Sequence, residues 1–405
     1  MLKQNNPITM FTPIVQPARR LAGINEYYFS AKLREIAQMR AAGKDVINLG
    51  IGSPDLPPAA ETVEALVKHS RERHTHSYQS YTGIPELRQA FAHWYGQWFG
   101  VPLNPDNEVL PLIGSKEGIV HIAMTYLSEG DQALVPNPGY PTYRAATILS
   151  GAEPLTYELL PEQGWLPDLE ALEQQDLSRV KIMWINYPNM PTGAAAPTGF
   201  FEKLIAFARR NRILLVNDNP YSFILNDRPA SILAVEGAKD VAIELNSLSK
   251  SNNMAGWRVG VLAGRFDYLQ EVLRFKSNMD SGMFKPLQLA AAQALASPPE
   301  WYAQLNTVYR ERRENAYRLL EALGCEWEPE QNGMFVWAKV PPLYADGFEL
   351  SDEVLHGALV FITPGGIFGS RGNGYVRVSL CSDGAVLEEA LRRIVEFKAT
   401  GQSHK

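Results

Sequence analysis

Between about residues 107 and 265 the chain alternates short, almost wholly apolar runs with longer stretches of helix-like pattern. The runs are Val109–Ile113, Ala133–Val135, Val180–Ile185, Ile213–Val216, Val241–Leu245 and Val259–Leu262. Runs of this length, rich in Val, Ile and Leu and ended by Gly, Pro, Asn or Ser, read as strands buried on both faces. Strands separated by helix-length segments predict an α/β fold with a mostly parallel sheet between helices. The last hundred residues carry a different pattern. A long polar helix around Trp301 to Leu323 leads into strand-like Met334–Val340, Leu359–Thr363 and Tyr375–Leu380, and a helix closes the chain at about Ala385–Lys398. This predicts a smaller α+β domain over 300–405, a large domain over 49–299, and an N-terminal segment, 1–48, packing on the small domain.

Composition narrows the class of partner. Of 405 residues, 45% are hydrophobic and 20% charged, enough apolar material for a sizeable core. The net charge of −6 disfavours nucleic acid and anionic membranes, neither of which would be attracted to the overall field. Two separated cysteines, Cys325 and Cys381, form no CxxC pair and read as buried or inert thiols. The opening residues lack a continuous apolar stretch, and no run approaches a membrane span, so a cytoplasmic protein is expected.

Chemistry gathers where the apolar runs end. The first five are followed by Gly114-Ser115-Lys116-Glu117-Gly118, Pro136-Asn137-Pro138-Gly139-Tyr140, Asn186-Tyr187-Pro188-Asn189-Met190, Asn217-Asp218-Asn219-Pro220-Tyr221 and Asn246-Ser247-Leu248-Ser249-Lys250. Open α/β sheets bind ligands beyond the carboxyl ends of their strands, so five such ends define a site. A lysine at Lys250's position, partly desolvated, loses proton affinity and becomes a usable amine nucleophile. Arg258, with the hydroxyls of Ser247 and Ser249, makes a phosphate cradle, to which the Gly114-Ser115-Lys116 turn adds a helix N-terminus. A carboxylate such as Asp218 at a strand end is most often a cap or turn residue. A pyridine cofactor would give it a task, holding the ring nitrogen protonated, with Tyr221 near the ring hydroxyl.

Ser247-Leu248-Ser249-Lys250 followed by Met254-Ala255-Gly256-Trp257-Arg258-Val259-Gly260 resembles the lysine signature of class I/II, fold-type I aminotransferases that use pyridoxal 5'-phosphate. The likeness runs from Gly50-Ile51-Gly52-Ser53-Pro54-Asp55 to Tyr375-Val376-Arg377-Val378-Ser379. It implies a seven-stranded sheet and a homodimer with active sites at the interface. Lys250 would form a Schiff base with the cofactor and carry the proton. Asp218 would pair with the pyridine nitrogen, Tyr221 would contact the ring oxygen, and Tyr140 would stack on the ring. Ser115, Lys116, Ser247, Ser249 and Arg258 would hold the phosphate, joined by Tyr78 from the neighbouring subunit. Arg377 would grip the substrate carboxylate, with Gly52 giving room beside it. Asn278-Met279-Asp280-Ser281-Gly282-Met283-Phe284-Lys285 and Tyr27-Tyr28-Phe29 are similar to stretches of LL-diaminopimelate aminotransferases and their alanine- or aspartate-using relatives. A small or dicarboxylic amino acid and a 2-oxo acid such as 2-oxoglutarate or pyruvate are the implied substrates, with Tyr27 beside them.

One departure stands out. Where the family has Asn-Pro-Thr-Gly, this chain has Met190-Pro191-Thr192-Gly193, and a thioether cannot donate a hydrogen bond to the ring oxygen. Asn189 or Asn186 would substitute, or Tyr221 would act alone. The competing functions are a carbon–sulfur β-lyase on the same cofactor and a sensor that keeps the fold without turnover. No metal site is expected, since His74 and His76 lack further ligands. Trp94, Tyr95, Trp98 and Phe99 read as core or dimer contact, and Glu311 to Glu314 as a solvated helix face.

Overall fold

A computed structural model describes residues 14–24, 26 and 28–401. After the two-residue β1 (Ile47–Asn48), the central sheet takes β2 (Val109–Leu112), β3 (Gln132–Asn137), β4 (Glu153–Glu158), β5 (Val180–Ile185), β6 (Leu214–Asp218), β7 (Ala242–Ser247) and β8 (Gly260–Gly264). Their order is β2-β8-β7-β6-β5-β3-β4. Strands β3 to β7 pair in parallel, while β8 runs antiparallel to both β7 and β2. The sheet is therefore seven-stranded and mostly parallel, and every apolar run read from the sequence forms one of its strands. The strand that the pattern concealed is β4. It lies at a sheet edge and is largely exposed, so its sequence, EPLTYE, carries no apolar run. The other edge, β2, also contains a proline, as edge strands tolerate.

Side-chain alternation along the strands builds two cores. Met183, Ile185 and Leu215 enter one; Ile182, Trp184, Leu214 and Val216 enter the other, on the opposite face. Each fully buried aliphatic side chain contributes roughly 1.5–3 kcal/mol, which is why a sheet covered on both sides needs no polar face. Helices α1 (Tyr28–Ala41), α2 (Ala60–Ser70) and α3 (Pro85–Phe99) precede the sheet. Between its strands lie α4 (Ser115–Tyr126), α5 (Pro141–Leu149), α6 (Leu169–Glu173) and α7 (Phe200–Asn211), and after it α8 (Phe266–Lys276) and α9 (Lys285–Leu295). Trp94, Tyr95 and Phe99 of α3 are core residues.

The smaller part begins with α10 (Pro299–Ala322) and continues through β9 (Phe335–Lys339), α11 (Gly347–Gly357), β10 (Val360–Phe361), β11 (Thr363–Pro364), β12 (Tyr375–Ser379) and α12 (Gly384–Ala399). Strands β11, β12 and β9 form an antiparallel sheet, and β10 pairs in parallel with β1. Phe29 and Ile36 of α1 pack with Leu355 and Phe361, and Lys32 pairs with Asp352 at 3.0 Å. One expectation is overturned here. Arg312 does not belong to a solvated helix face: it is buried, donates to both carboxylate oxygens of Asp55 at 2.7 and 2.8 Å, and donates to the Leu380 carbonyl. A charged quartet on a helix looks solvent-facing in sequence, but Asp55 arrives from 257 positions away to neutralise one member.

Candidate active site

At the carboxyl ends of the parallel strands lies a cavity of about 460 Å³. Its anion-binding end is made by two turns. After β2, Gly114 takes φ 82° and turns the chain into α4, whose first residues are Ser115 and Lys116. A side chain at 114 has no room, because a Cβ there would stand 2.1 Å from Nη2 of Arg258. Arg258, itself left-handed at φ 58°, donates to Ser249 Oγ at 3.3 Å and to the Ala255 carbonyl at 2.9 Å. Ser247 is buried on the same wall. Burial and the Arg258 charge together lower the proton affinity of Lys116. Two cations beside a helix N-terminus and two hydroxyls form a setting that a phosphate dianion relieves.

Deeper in, Asp218 ends β6 and is 4% exposed. Its Oδ2 accepts a 2.8 Å hydrogen bond from Tyr143, whereas its Oδ1 accepts none from the described residues. Burial pushes the carboxyl up to about 6, against the opposing Tyr143 hydrogen bond and the Lys250 charge. Lys250, just beyond β7, donates from Nζ to the Gly52 carbonyl at 2.6 Å and stands 6.0 Å from the centre of the Tyr221 ring. Burial is the main cause that lowers its proton affinity; Cys381 opposes it, and the charges of Arg377 and Arg258 add to it. Gly52 is required at its position, since a Cβ would fall 2.2 Å from Cζ of Phe335. Tyr221 and Tyr140 also line the cavity, and burial raises both phenols.

Arg377 reaches the cavity from β12 of the smaller sheet. Its guanidinium lies 3.8 Å from the centre of the Phe335 ring and 4.6 Å from that of Phe368. Nη2 donates to the Gly50 carbonyl at 2.9 Å, and Nη1 approaches Sδ of Met190 at 3.3 Å. Stacking and a backbone anchor leave a planar cation with its orientation set in advance, the property that bidentate carboxylate recognition needs.

Three sequence-derived candidates are not brought to this cavity. The Asn189 amide is spent within its own turn, donating to the Asn186 carbonyl and accepting from Thr192. Asn186 is likewise committed, to the Asp218 carbonyl and to the backbone N–H of Met190. Tyr78 is 90% exposed and lies away from its own chain's cavity. Tyr27 lies outside the described residues. Sequence reasoning missed Tyr143, Phe335 and Phe368. The signal for Tyr143 was faint, a second tyrosine in Tyr140-Pro141-Thr142-Tyr143, and the phenylalanines lie in the other part of the chain.

A fold, a lysine amine and paired anion sites of this kind define an enzyme that handles amino acids. The chain matches the family model for aminotransferase class I and II over residues 44–394, and it belongs to that family. It is 42% identical over 383 residues to the LL-diaminopimelate aminotransferase of Dehalococcoides mccartyi, covering 94% of this chain and 98% of that protein. The enzyme of the same name from Moorella thermoacetica is 42% identical over 382 residues, with 94% and 98% coverage. Among solved structures, substrate-bound BacF from Bacillus subtilis superposes with a TM-score of 0.90 at 38% identity, covering 94% of this chain and 97% of that one. A probable N-succinyldiaminopimelate aminotransferase from Thermus thermophilus gives 0.85 at 33% identity, over 91% of this chain and 99% of that one.

Proposed function

We propose that this aminotransferase works with pyridoxal 5'-phosphate and takes its amino group from LL-diaminopimelate, passing it to a 2-oxo acid such as 2-oxoglutarate. The observation that carries the cofactor reading is Asp218 Oδ1, a buried carboxylate oxygen with no hydrogen-bond partner at the base of the cavity. A protonated pyridine nitrogen would donate to that oxygen and bring a positive charge that keeps Asp218 ionised. The anion cradle of Ser115, Lys116, Ser247, Ser249 and Arg258 suits the phosphate of the same molecule. When bound, the cofactor supplies the electron sink that makes an amino acid's Cα proton removable.

The chain's own residues do the rest. Lys250, desolvated and reduced in proton affinity, would accept the proton from the substrate Cα and hold it for return. Arg377 holds the substrate α-carboxylate in the plane fixed by Phe335 and Phe368. Tyr140 covers one face of the cofactor ring, and Tyr221 donates to the ring oxygen without help from an asparagine, since Asn186 and Asn189 are both engaged elsewhere. In this reading residues 49–299 carry the cofactor and residues 300–405, with 1–48, carry the substrate clamp. The enzyme is a cytoplasmic homodimer, in which the exposed Tyr78 of each subunit serves the other's phosphate. The names of the relatives at 42% identity favour LL-diaminopimelate as donor and aminotransfer over β-elimination.

The test is a donor screen on purified protein supplied with cofactor, following visible absorption and 2-oxo acid formation. LL-diaminopimelate should convert the cofactor to its amine form faster than aspartate, alanine or glutamate, and Lys250→Ala should do so with none of them. Turnover by Lys250→Ala, or absorption indifferent to every donor, overturns the proposal.

A further inference from the structure

Outside the cavity, the described residues bring three metal-capable side chains together at one place. Glu117 and His121 lie one turn apart on α4, on the same face, and Asp280 meets them from the turn after α8. His121 Nε2 is 3.4 Å from Glu117 Oε1 and 3.9 Å from Asp280 Oδ2, and all three atoms lie within 4.8 Å of one another. His121 is 3% exposed. Among the described residues, neither of its ring nitrogens finds a hydrogen-bond partner, and neither does Oδ2 of Asp280. Buried groups of this kind are costly unless something satisfies them.

From this geometry we propose a structural divalent-cation site formed by Glu117 Oε1, His121 Nε2 and Asp280 Oδ2. Two ligand bonds of about 2.0–2.1 Å span at most about 4 Å, so both distances from Nε2 fit a shared ion. One imidazole with two carboxylates is a donor set that zinc or manganese accepts. The second oxygen of each carboxylate is already engaged, which orients the first. Lys276, itself buried, donates to Asp280 Oδ1 at 2.8 Å and to the Tyr81 carbonyl at 3.2 Å, and Glu117 Oε2 accepts from the Ile113 N–H at 2.7 Å. Because the site lies outside the cavity, the ion would tie the turn after α8 to the start of α4 and take no part in chemistry. The Ile113–Glu117 bond stands directly before the Gly114 turn, so the ion would also stiffen the anion cradle.

The test uses the holoenzyme and zinc as the probe. Protein is stripped with chelator, incubated with Zn²⁺, dialysed and assayed for metal by mass spectrometry, alongside His121→Gln and Asp280→Asn. The expected result is about one zinc per wild-type chain, raising the melting temperature, with at least a tenfold loss of retained metal in both variants. Wild-type protein that takes up no zinc overturns the site whatever the variants do. Equal uptake by folded variants and wild type also overturns it, since the metal would then be held elsewhere.

Discussion

Tyr143 donates a 2.8 Å hydrogen bond to Oδ2 of Asp218, a residue of the cavity wall, while Oδ1 accepts no hydrogen bond from the described residues. The tyrosine is fixed for this task, stacked on Trp184 at a centroid distance of 5.3 Å and an angle of 7°. It opposes the burial that raises Asp218. Tyr143→Phe should therefore push the carboxyl higher still and weaken its hold on a ring cation. A lost hydrogen bond to a buried charge costs roughly 1–3 kcal/mol, so cofactor affinity should fall about 5- to 150-fold. Equilibrium titration of cofactor-free protein checks this.

Asp218 also gives the cofactor-free protein a pH dependence. Its carboxyl rises from 3.8 to about 6 on burial, so the folded chain binds protons more tightly than the unfolded chain between those values. Stability from this group is then present at low pH and is lost as pH rises through about 6, by roughly 3 kcal/mol in all. Asp218→Asn should stabilise cofactor-free protein by up to about that amount at pH 8 and by about half as much at pH 5. Urea unfolding at the two pH values measures it. An effect independent of pH would show that the carboxyl titrates normally.

At the anion end, Gly114 combines a positive φ with a guanidinium 2.1 Å from where a Cβ would sit. Gly114→Ala must displace Arg258 and strain the turn, at roughly 1–3 kcal/mol. Affinity for cofactor should fall about 5- to 150-fold, while pyridoxal lacking the phosphate should bind equally to both proteins. Comparing the two ligands separates a damaged cradle from general misfolding.

Arg377→Lys keeps the charge but loses the plane that Phe335 and Phe368 stack against. Two charge-assisted bonds to a carboxylate, each about 1.5–3 kcal/mol, are then replaced by a point contact. The value of kcat/KM for amino donors should fall by about 100-fold or more, with cofactor affinity unchanged. Single-turnover kinetics across donor concentrations give the first number, and titration of cofactor-free protein gives the second.

Local pattern was sufficient for much of this architecture. Apolar runs bounded by Gly, Pro and Asn marked six strands of the central sheet, and the segments after five of them supplied ten of the cavity's 21 lining residues. Strand β4 escaped because half its side chains face water, and period-2 patterning fades at a sheet edge. Asn189 shows the converse limit. Its neighbours in sequence suggested a ligand contact, yet its amide closes a turn, a choice set by hydrogen bonds within a few residues that composition does not reveal.

What the chain's sequence determined alone, then, was six strands of the sheet, where they end and the chemical character of the residues there, because these depend on hydrophobic periodicity and on chemistry carried by single residues. What only tertiary structure decided was which groups meet. The Tyr143–Asp218 bond, the Phe335–Arg377–Phe368 stack, the Arg312–Asp55 pair and the Glu117–His121–Asp280 cluster each join residues far apart in the chain. Their energies come from distance and burial, which exist only after the backbone has closed around them.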